Sequence, residues 1–303
     1  MRIIVVGQGP FGEKVLEALI QRGEEVVGVF CPPDKRGDLP ALVAGKLSIP
    51  LFRPVRMKDP QAYQACEHLK PDLVMLAFVT DIIPERLIDL PTIGTICYHP
   101  SLLPRHRGAR GINWAIIQGD TRTGLTILWV DKGIDTGPIL LQKEVEIGPD
   151  VTTGSLYFNT LFPMGVEAMV EAVDLIRKGN PPRIAQDESR ATYEPPCDDR
   201  VASIDLNKPV KEVYNLIRGC DPQPGAFAFF GEKKVRLYEA RIGALTGERS
   251  PGEIVAVEEA GIEIAATGGA IRIGKLRPEK GEKVGPTEFA RAVGLKPGDR
   301  FGK

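Results

Sequence analysis

Apolar and polar positions alternate between strand-like and helix-like patterns over the first 180 or so residues. The run "RIIVVG" (residues 2–7) is typical of a buried strand, and Phe11–Arg22 follows it with apolar side chains at helical spacing. Further strands are predicted at Glu24–Phe30, Asp72–Ala77, Gly94–Tyr98, Leu125–Trp129 and Ile139–Val145, and helices at Asp59–Lys70, Ile112–Gln118 and Thr153–Lys178, the last with Thr153 as its cap. This alternation predicts an α/β fold with a mostly parallel sheet covered by helices.

The pattern changes after residue 178. Residues 178–200 are rich in proline and charge and show no period, which is typical of a linker. A short helix is then predicted, followed by closely spaced strands: Val210–Arg218, then Ala226–Phe230, Lys234–Arg241, Gly252–Val257, Gly261–Ala266 and Ala270–Leu276. Short strands at this spacing predict a small barrel. We therefore expect a first domain over 1–180, a linker over 181–205 and a small β-barrel domain over 206–303.

Composition excludes several classes of protein. The 303 residues carry a net charge of −1, which gives no global attraction to nucleic acid, although residues 208–303 hold 17 basic and 13 acidic side chains. The five cysteines are odd in number and form no C-x-x-C pair, so we expect a reducing, cytoplasmic setting without disulfides or structural zinc. No apolar stretch reaches about 18 residues, and the N-terminus shows no signal-peptide cleavage site.

A glycine motif follows the first predicted strand. "GQGPFG", with Gly7, Gly9 and Gly12, matches the G-x-G-x-x-G pattern of dinucleotide-binding loops. Nicotinamide enzymes usually end the second strand with an acidic residue for the ribose, whereas here Phe30 and Cys31 stand at that place. The favoured interpretation is that the glycines only permit a tight turn between strand and helix.

Two segments that follow predicted strands contain candidate chemistry. One is "CYHPSLLPRHRGARGINWAIIQGD" (97–120), with His99, and the other is "WVDKGIDTGPILLQ" (129–142), with Asp135. Ligands in open α/β sheets bind outside the carboxyl ends of the strands, so we expect these loops to converge. A His and an Asp facing one carbonyl group suit acyl transfer, because one can move a proton while the other stabilises the oxyanion. No metal site is predicted, since the chain lacks His and Cys clusters.

Each signal also has a purely structural interpretation. A single His beside a proline is often a loop-packing residue, and Arg105, Arg107 and Arg110 are either solvated surface groups or contacts for an anionic substrate. The "DTG" triplet at 135–137 also occurs in aspartic proteases, but those enzymes need two such carboxylates and an all-β fold.

Taken together, "HPSLLPRHRG" and the Asp of "GIDTGPILLQ", 36 residues after His99, resemble the folate-dependent formyltransferase family. Within it, "EVVGVFCPPDKRGD", "LYFNTLFPMGVEAMVEAV" and "ATYEPP" look most like the hydrolase domain of 10-formyltetrahydrofolate dehydrogenase, and methionyl-tRNA formyltransferase is also similar. The resemblance implies a Rossmann-like catalytic domain and an OB-like open barrel. A chain that stops at Lys303 is expected to lack the dehydrogenase's further domains.

The resemblance also implies a site. The family's catalytic Asn, His and Asp correspond to Cys97, His99 and Asp135, so Cys97 departs from the pattern N-x-H-P. A thiol is a poor hydrogen-bond donor, and the hydrolase domain also lacks this Asn, so Cys97 favours a hydrolase-like activity. A small buried thiol without chemistry is the plainer interpretation, and a nucleophilic Cys97 is the less favoured one. Residues implied around the pterin are Ala77, Phe78, Val79, Thr80, Asp81, Leu103, Arg105, Gly108, Asp131, Lys132, Gly133 and Ile134, with Arg105 alternatively a structural anchor.

Three functions follow as hypotheses. The first is removal of the formyl group from 10-formyltetrahydrofolate, with water, a thiol or a small amine as acceptor. The second is methionyl-tRNA formyltransferase, against which stand Cys97, the near-neutral charge and the few basic residues of the loop 32–45. The third is a folate- or nucleotide-binding module without activity, disfavoured by the presence of both His99 and Asp135.

Overall fold

The computed structural model describes residues 1–244 and 247–302, and it contains two compact units. Unit 1 comprises residues 1–108, 124–144 and 159–193. Unit 2 comprises residues 109–123, residues 145–158 and the described chain from residue 194 onward. Each unit is therefore assembled from separate stretches of sequence.

A seven-stranded sheet organises unit 1. Its strands are β1 (Arg2–Gly7), β2 (Glu25–Phe30), β3 (Leu51–Phe52), β4 (Leu73–Ala77), β5 (Gly94–His99), β6 (Arg122–Trp129) and β7 (Ile139–Glu146). They lie in the order β3-β2-β1-β4-β5-β6-β7. The pairs from β3 to β5 are parallel, and β6 runs antiparallel to β5. Every residue of β4 is buried, as expected for a parallel strand covered on both faces. The predicted mostly parallel α/β sheet is confirmed.

Nine helices accompany the two sheets within the described residues. They are α1 (Gly9–Gln21), α2 (Asp38–Lys46), α3 (Pro60–Leu69), α4 (Glu85–Ile88), α5 (Gly111–Ile117), α6 (Thr153–Leu156), α7 (Phe162–Arg177), α8 (Val210–Gly219) and α9 (Pro286–Val293). Short 3-10 turns occur at Lys35–Gly37 and Glu188–Arg190. The sequence pattern did not predict α2, α4, α9 or the two-residue strand β3. None of these helices is long and apolar enough to cross a membrane.

The single helix predicted over 153–178 is wrong in its continuity and its cap. A π-helical turn, Tyr157–Leu161, separates α6 from α7. The cap of α6 is Thr152, whose hydroxyl accepts a hydrogen bond from the amide of Ser155 in a capping box. Thr153 instead donates its hydroxyl to the carbonyl of Gly219 at 2.7 Å. Both threonines satisfy the sequence preference for a cap. Only the backbone conformation shows that Thr152, which is extended, is the residue that precedes the first helical turn.

Aromatic packing joins α1 and α7 to the sheet in unit 1. Phe11, near the start of α1, stacks on Tyr98 of β5 with ring centroids 4.3 Å apart, and Phe162 packs edge-on at 5.6 Å. Gly165 of α7 lies beside the same rings, and a Cβ atom there would stand 2.6 Å from Tyr98. The strand that ends in His99 is therefore supported by a tightly packed aromatic core.

Unit 2 contains a six-stranded antiparallel sheet. Its strands are β8 (Phe227–Phe230), β9 (Lys233–Gly243), β10 (Ile254–Glu258), β11 (Gly261–Ala266), β12 (Gly269–Pro278) and β13 (Phe301–Gly302), in the order β10-β11-β12-β9-β8-β13. The sheet curls into a half-barrel, which confirms the predicted small open barrel. Alternate residues such as Ile262 and Ile264 are fully buried in its core.

The proline-rich segment expected as a linker is hydrogen-bonded to unit 1 through its first half. Ile184 and Ile139 exchange two backbone hydrogen bonds, at 2.8 and 3.0 Å. The indole nitrogen of Trp129 donates to the carbonyl of Pro182 at 2.9 Å. Residues up to Tyr193 accordingly belong to unit 1.

Candidate active site

His99 and Asp135 lie together in unit 1, although 36 positions separate them in the sequence. Nδ1 of His99 is 3.4 Å from Oδ2 of Asp135, and their side chains are only 7% and 17% exposed. A buried imidazole beside a mostly buried carboxylate is an arrangement that can move a proton to or from a bound carbonyl group.

The two residues reach each other by a route that the sequence did not predict. His99 is the last residue of β5, one position beyond the predicted end of this strand. Because β6 runs antiparallel to β5, its last residue, Trp129, pairs with Ile96 rather than with His99. The loop that follows β6 therefore turns back along the sheet to bring Asp135 to His99. The two loops converge, but not because two parallel strands end at the same edge.

Hydrogen bonds define the protonation pattern of His99. Nε2 lies 2.8 Å from the carbonyl oxygen of His106. A carbonyl oxygen only accepts, so Nε2 carries a hydrogen and donates it. Nδ1 is then the nitrogen that faces Asp135, and a proton held there completes an ion pair with the carboxylate. His106 itself, 3% exposed and with φ +57°, thus shapes the pocket through its backbone.

Backbone contacts hold the Asp135 carboxylate. The amide of Gly108 donates to Oδ2 of Asp135 at 2.7 Å, which makes Gly108 part of the same cluster. Asp135 has φ +56°, in the left-handed region. That conformation costs a residue other than glycine on the order of 1 kcal/mol, so the surrounding contacts must maintain it.

Cys97 lies two residues before His99 and therefore on the same face of β5. Its thiol donates weakly to the carbonyl of Tyr98 at 3.5 Å. Burial, together with the negative charge of Asp135, raises the pKa of the Cys97 thiol far above its usual value. The thiol consequently keeps its proton at neutral pH, which argues against a nucleophilic Cys97.

A network around Arg107 is the part of the site that sequence reasoning missed. Arg107 is 2% exposed, and its Nε and Nη2 donate to Oε1 of Gln186 at 3.1 and 2.8 Å. Nε2 of Gln186 then donates to the carbonyls of Asp135 and Gly137, both at 2.8 Å. Gln186 lies in the segment expected as a linker and carries no local signal of a role.

Glu188 and Tyr193 complete this network. Both guanidinium Nη atoms of Arg107 donate to the Glu188 carboxylate, at 2.6 and 2.8 Å. These bonds lower the pKa of Glu188 and raise that of Arg107. The Tyr193 hydroxyl accepts from Arg107 at 3.3 Å and donates to the carbonyl of Ile134 at 3.3 Å.

The end of β4 and the loop after it contain five of the predicted folate contacts. Ala77 ends β4, and Phe78 follows with φ +63° and 39% exposure, its ring 6.3 Å from that of Phe11. Asp81 accepts hydrogen bonds from the amides of Met57 and Ile82 at 2.7 and 3.0 Å. The carboxylate of Asp81 is therefore committed to holding loops in place.

A solvent-open cleft adjoins this loop. Its lining includes Val79, Thr80 and Asp81 but neither His99 nor Asp135. The lining residues are Val6, Gly7, Gln8, Cys31, Pro32, Arg36, Pro54, Val55, Met57, Val79, Thr80 and Asp81. Three of the predicted folate contacts thus line this cleft, whereas His99 and Asp135 lie outside its lining.

The other predicted folate contacts belong to two ordered loops. Leu103 is buried, with its amide and carbonyl hydrogen-bonded to Thr126 and Gln142, whereas the carbonyl of Arg105 accepts from the Ser101 hydroxyl. In the second loop, Oδ1 of Asp131 accepts from the amide of Gly133 and from the Thr136 hydroxyl, at 3.0 and 2.6 Å. Lys132 and Ile134, on either side of Gly133, are exposed. Hydrogen bonds of these residues therefore define the shape of each loop.

The glycine motif has a packing role. Gly12 lies so close to Gly7 that a Cβ atom on it would stand 2.9 Å from the Gly7 backbone, and Gly9 has φ +59°. This close approach supports the interpretation as a tight strand–helix turn. Within residues 1–244 and 247–302, no three His, Cys, Asp or Glu side chains are grouped so that they could hold a metal ion.

Comparison with known proteins covers most of the chain. Residues 1–173 match the formyl transferase family, and residues 198–294 match its C-terminal domain. The chain is 44% identical over 245 residues to cytosolic 10-formyltetrahydrofolate dehydrogenase of Xenopus tropicalis, covering 78% of this chain but only 27% of that protein. It is 36% identical over 311 residues to methionyl-tRNA formyltransferase of Geotalea uraniireducens (strain Rf4), covering 100% of this chain and 98% of that one.

A solved structure shares the fold. HypX from Aquifex aeolicus, in complex with tetrahydrofolic acid, superposes with a TM-score of 0.71 at 23% identity, over 97% of this chain and 47% of HypX. Together with the two family matches, this likeness accounts for both the α/β sheet and the half-barrel. The chain belongs to the folate-dependent formyl transferase family.

Proposed function

We propose that this protein removes the formyl group from 10-formyltetrahydrofolate and releases tetrahydrofolate, with water as the favoured acceptor and a thiol or small amine as the alternatives. The observation that carries the proposal is the buried contact between His99 and Asp135, 3.4 Å apart in a formyl transferase chain. The folate is a co-substrate, and the reaction requires no metal in this scheme.

His99 and Asp135 divide the proton chemistry. Asp135 takes a proton from the attacking water while the water oxygen bonds to the formyl carbon. The carbonyl oxygen becomes an oxyanion, which a proton on Nδ1 of His99 stabilises. The tetrahedral intermediate then collapses, the bond from carbon to N10 breaks, and N10 receives the proton that Asp135 took. The products are tetrahydrofolate and formic acid, which releases its proton to solvent and becomes formate.

Cys97 supports water over an amine as the acceptor. The amine transferases that this chain resembles place an Asn amide at this position, where it donates to the formyl oxygen. The protonated thiol of Cys97 is a weak donor and is directed to the carbonyl of Tyr98. Loss of one oxyanion donor commonly lowers kcat by roughly 10²–10³. Water is a small acceptor that depends less on a positioning amide than a large amine substrate does.

The pterin ring is proposed to lie against the backbone of Ala77–Asp81 and of Asp131–Asp135, with Leu103, Arg105 and Gly108 lining the pocket. Two observations support this arrangement. The exposed ring of Phe78 and the exposed side chain of Ile134 provide apolar surface for a flat heterocycle. Gly108 already contacts the Asp135 carboxylate through its amide.

An acceptor screen tests the proposal. The protein is supplied with 10-formyltetrahydrofolate, and tetrahydrofolate release is measured with water alone, a thiol, an amino sugar nucleotide or methionyl-tRNA. We expect release with water alone that ends when either His99 or Asp135 is replaced by Ala. If tetrahydrofolate is released only when one added acceptor is present, that acceptor and not water is the substrate. If tetrahydrofolate is released with none of the acceptors, the proposed activity is wrong and folate binding alone remains.

Methionyl-tRNA formyltransferase is the second candidate. It is favoured by the similarity over 98% of such an enzyme, whereas this chain spans about a quarter of the dehydrogenase it matches. The test is formyl transfer from the folate to charged initiator tRNA. Binding to tRNA that weakens steeply with added salt would support this candidate, because phosphate contacts release counterions.

A further inference from the structure

We propose that Arg107 and Gln186 are positioning residues that hold Asp135 in its reactive conformation. The inference rests on the proposed function, since it assigns Asp135 the role of taking the proton. Neither side chain contacts the imidazole or the carboxylate of the candidate pair, and both act through the backbone around Asp135.

Asp135 has a left-handed backbone conformation. Its φ of +56° is unfavourable for a residue that carries a Cβ atom, so the turn requires partners. Gln186 supplies them, because its Nε2 donates to the carbonyl of Asp135 and to that of Gly137, both at 2.8 Å. One amide group thus joins both ends of the three-residue turn 135–137.

Arg107 sets the orientation of the Gln186 amide. Oε1 accepts two hydrogen bonds from Arg107, at 3.1 and 2.8 Å. Rotation of the amide by 180° would place an NH₂ group against a guanidinium and an oxygen against two carbonyls. The guanidinium therefore allows only the orientation in which Nε2 faces the turn.

Contacts on several sides hold the Arg107 side chain in place. Its side chain is 1% exposed, forms a two-pronged pair with Glu188 and contacts the Tyr193 hydroxyl. Its own amide donates to the carbonyl of Thr192 at 3.0 Å. A planar fork bound at this many points has one geometry, so it transmits that geometry to Gln186.

The same segment also reaches Asp135 directly. Gly108, next to Arg107 in the chain, donates its amide to Oδ2 of Asp135 at 2.7 Å. The Tyr193 hydroxyl donates to the carbonyl of Ile134, the residue before Asp135. Carboxylate, turn and preceding residue are consequently all anchored to Arg107–Gly108 or to residues 186–193.

Gln186→Glu is the decisive variant. Its carboxylate still accepts from Arg107, so the buried cation keeps a partner, but both donors to the turn are lost. We expect kcat for tetrahydrofolate release to fall about tenfold or more, equivalent to about 1.4 kcal/mol or more, with KM for 10-formyltetrahydrofolate within about threefold of the wild-type value. The matched control is Gln21→Glu, the same change at an exposed position at the end of α1, with kcat within about twofold.

A double variant tests whether the two residues act in series. Arg107→Lys keeps the charge but loses the fork, and we expect it to lower kcat as well. Because both residues act through the same turn, the double variant Arg107→Lys/Gln186→Glu should have a kcat within about threefold of the Gln186→Glu value. If the reductions in kcat of the two single variants multiply in the double variant, the two residues act independently, and the proposal that Arg107 acts through Gln186 is wrong.

Two further variants distinguish a failure of the positioning role from misfolding and from a failure of the proposed function. Tyr193→Phe removes one hydroxyl from a side chain that is 57% exposed, so the protein should fold normally while kcat falls by about threefold, with KM unchanged. Asp135→Asn tests the function itself. If Asp135→Asn is inactive while Gln186→Glu and Tyr193→Phe keep wild-type kcat, the positioning role is wrong and the function stands. If Asp135→Asn keeps wild-type turnover, the proposed function fails.

Discussion

Nδ1 of His99 lies 3.4 Å from Oδ2 of Asp135, while Nε2 of the same ring donates to the carbonyl of His106 at 2.8 Å. Because the His106 carbonyl engages Nε2, Nδ1 is the ring nitrogen that faces Asp135 and, in the proposed mechanism, the oxyanion. One imidazole edge is thus structural and the other is available for chemistry.

Removal of either member of this pair should eliminate most turnover. We expect His99→Ala and Asp135→Ala each to lower tetrahydrofolate release by about 10²–10⁴-fold, the usual contribution of a positioned acid or base. His68→Ala, at an exposed histidine of α3, is the matched control and should keep the wild-type rate. Near-normal turnover in either Ala variant would exclude the mechanism.

An amide at position 97 should shift the enzyme toward amine acceptors. Cys97→Asn adds the donor that the amine transferases of this family use, so we expect the ratio of amine-dependent to water-dependent tetrahydrofolate release to rise about tenfold or more. Cys97→Ser, which adds a hydroxyl but no amide, is the comparison and should change that ratio less. Equal ratios in all three proteins would show that position 97 does not select the acceptor.

The thiol of Cys97 should be unreactive at neutral pH. Its pKa is raised by burial and by Asp135, so the thiolate is scarce and alkylation requires higher pH. We expect iodoacetamide at about pH 7.5 to label Cys97 in the folded protein far more slowly than in the unfolded chain, with the rate rising as pH increases. Peptide mass spectrometry measures the labelling. Fast labelling that parallels loss of activity would instead support a nucleophilic Cys97.

Helix α7 should not tolerate a methyl group where it faces the core. In Gly165→Ala the new Cβ atom would stand 2.6 Å from Tyr98 and 2.9 Å from Phe11, so we expect a loss of stability of about 1–3 kcal/mol and a lower Tm. Gly45→Ala in α2 is the control, because no atom lies within 4 Å of its Cβ position. A helix gains about 0.5–1 kcal/mol from that change, so its Tm should rise or stay equal. Equal losses in both variants would contradict the close packing of α7.

The periodic parts of the fold were predictable because their signals are local. β1, β4 and β11 begin and end within a residue or so of the predicted limits, since continuous or alternating apolar runs report burial directly. The elements that were missed are short or weakly patterned. β3 has only two residues and α4 is a single turn of four, so neither is long enough to show a period.

The candidate site was only partly predictable. His99, Asp135 and Gly108 were identified from their motifs and lie within one hydrogen-bonded cluster. Gln186 was not, because it lies in an aperiodic stretch and its partners are 49 to 79 positions away. Arg107 was noted in the motif, but its burial could not be inferred from a segment rich in proline and arginine.

The sequence by itself determined most of the longer strands and helices, the family motifs and the choice of His99 and Asp135, since each depends on residue types at short spacing. Only the tertiary structure decided how those residues meet. The antiparallel direction of β6, the return of the loop to Asp135 and the insertion of Arg107 between Gln186 and Glu188 all depend on contacts between distant segments. A buried charge or a strained turn is stable only when it is hydrogen-bonded, and in this protein the partners come from segments that are distant in sequence. A local sequence pattern contains no information on which distant segment supplies them.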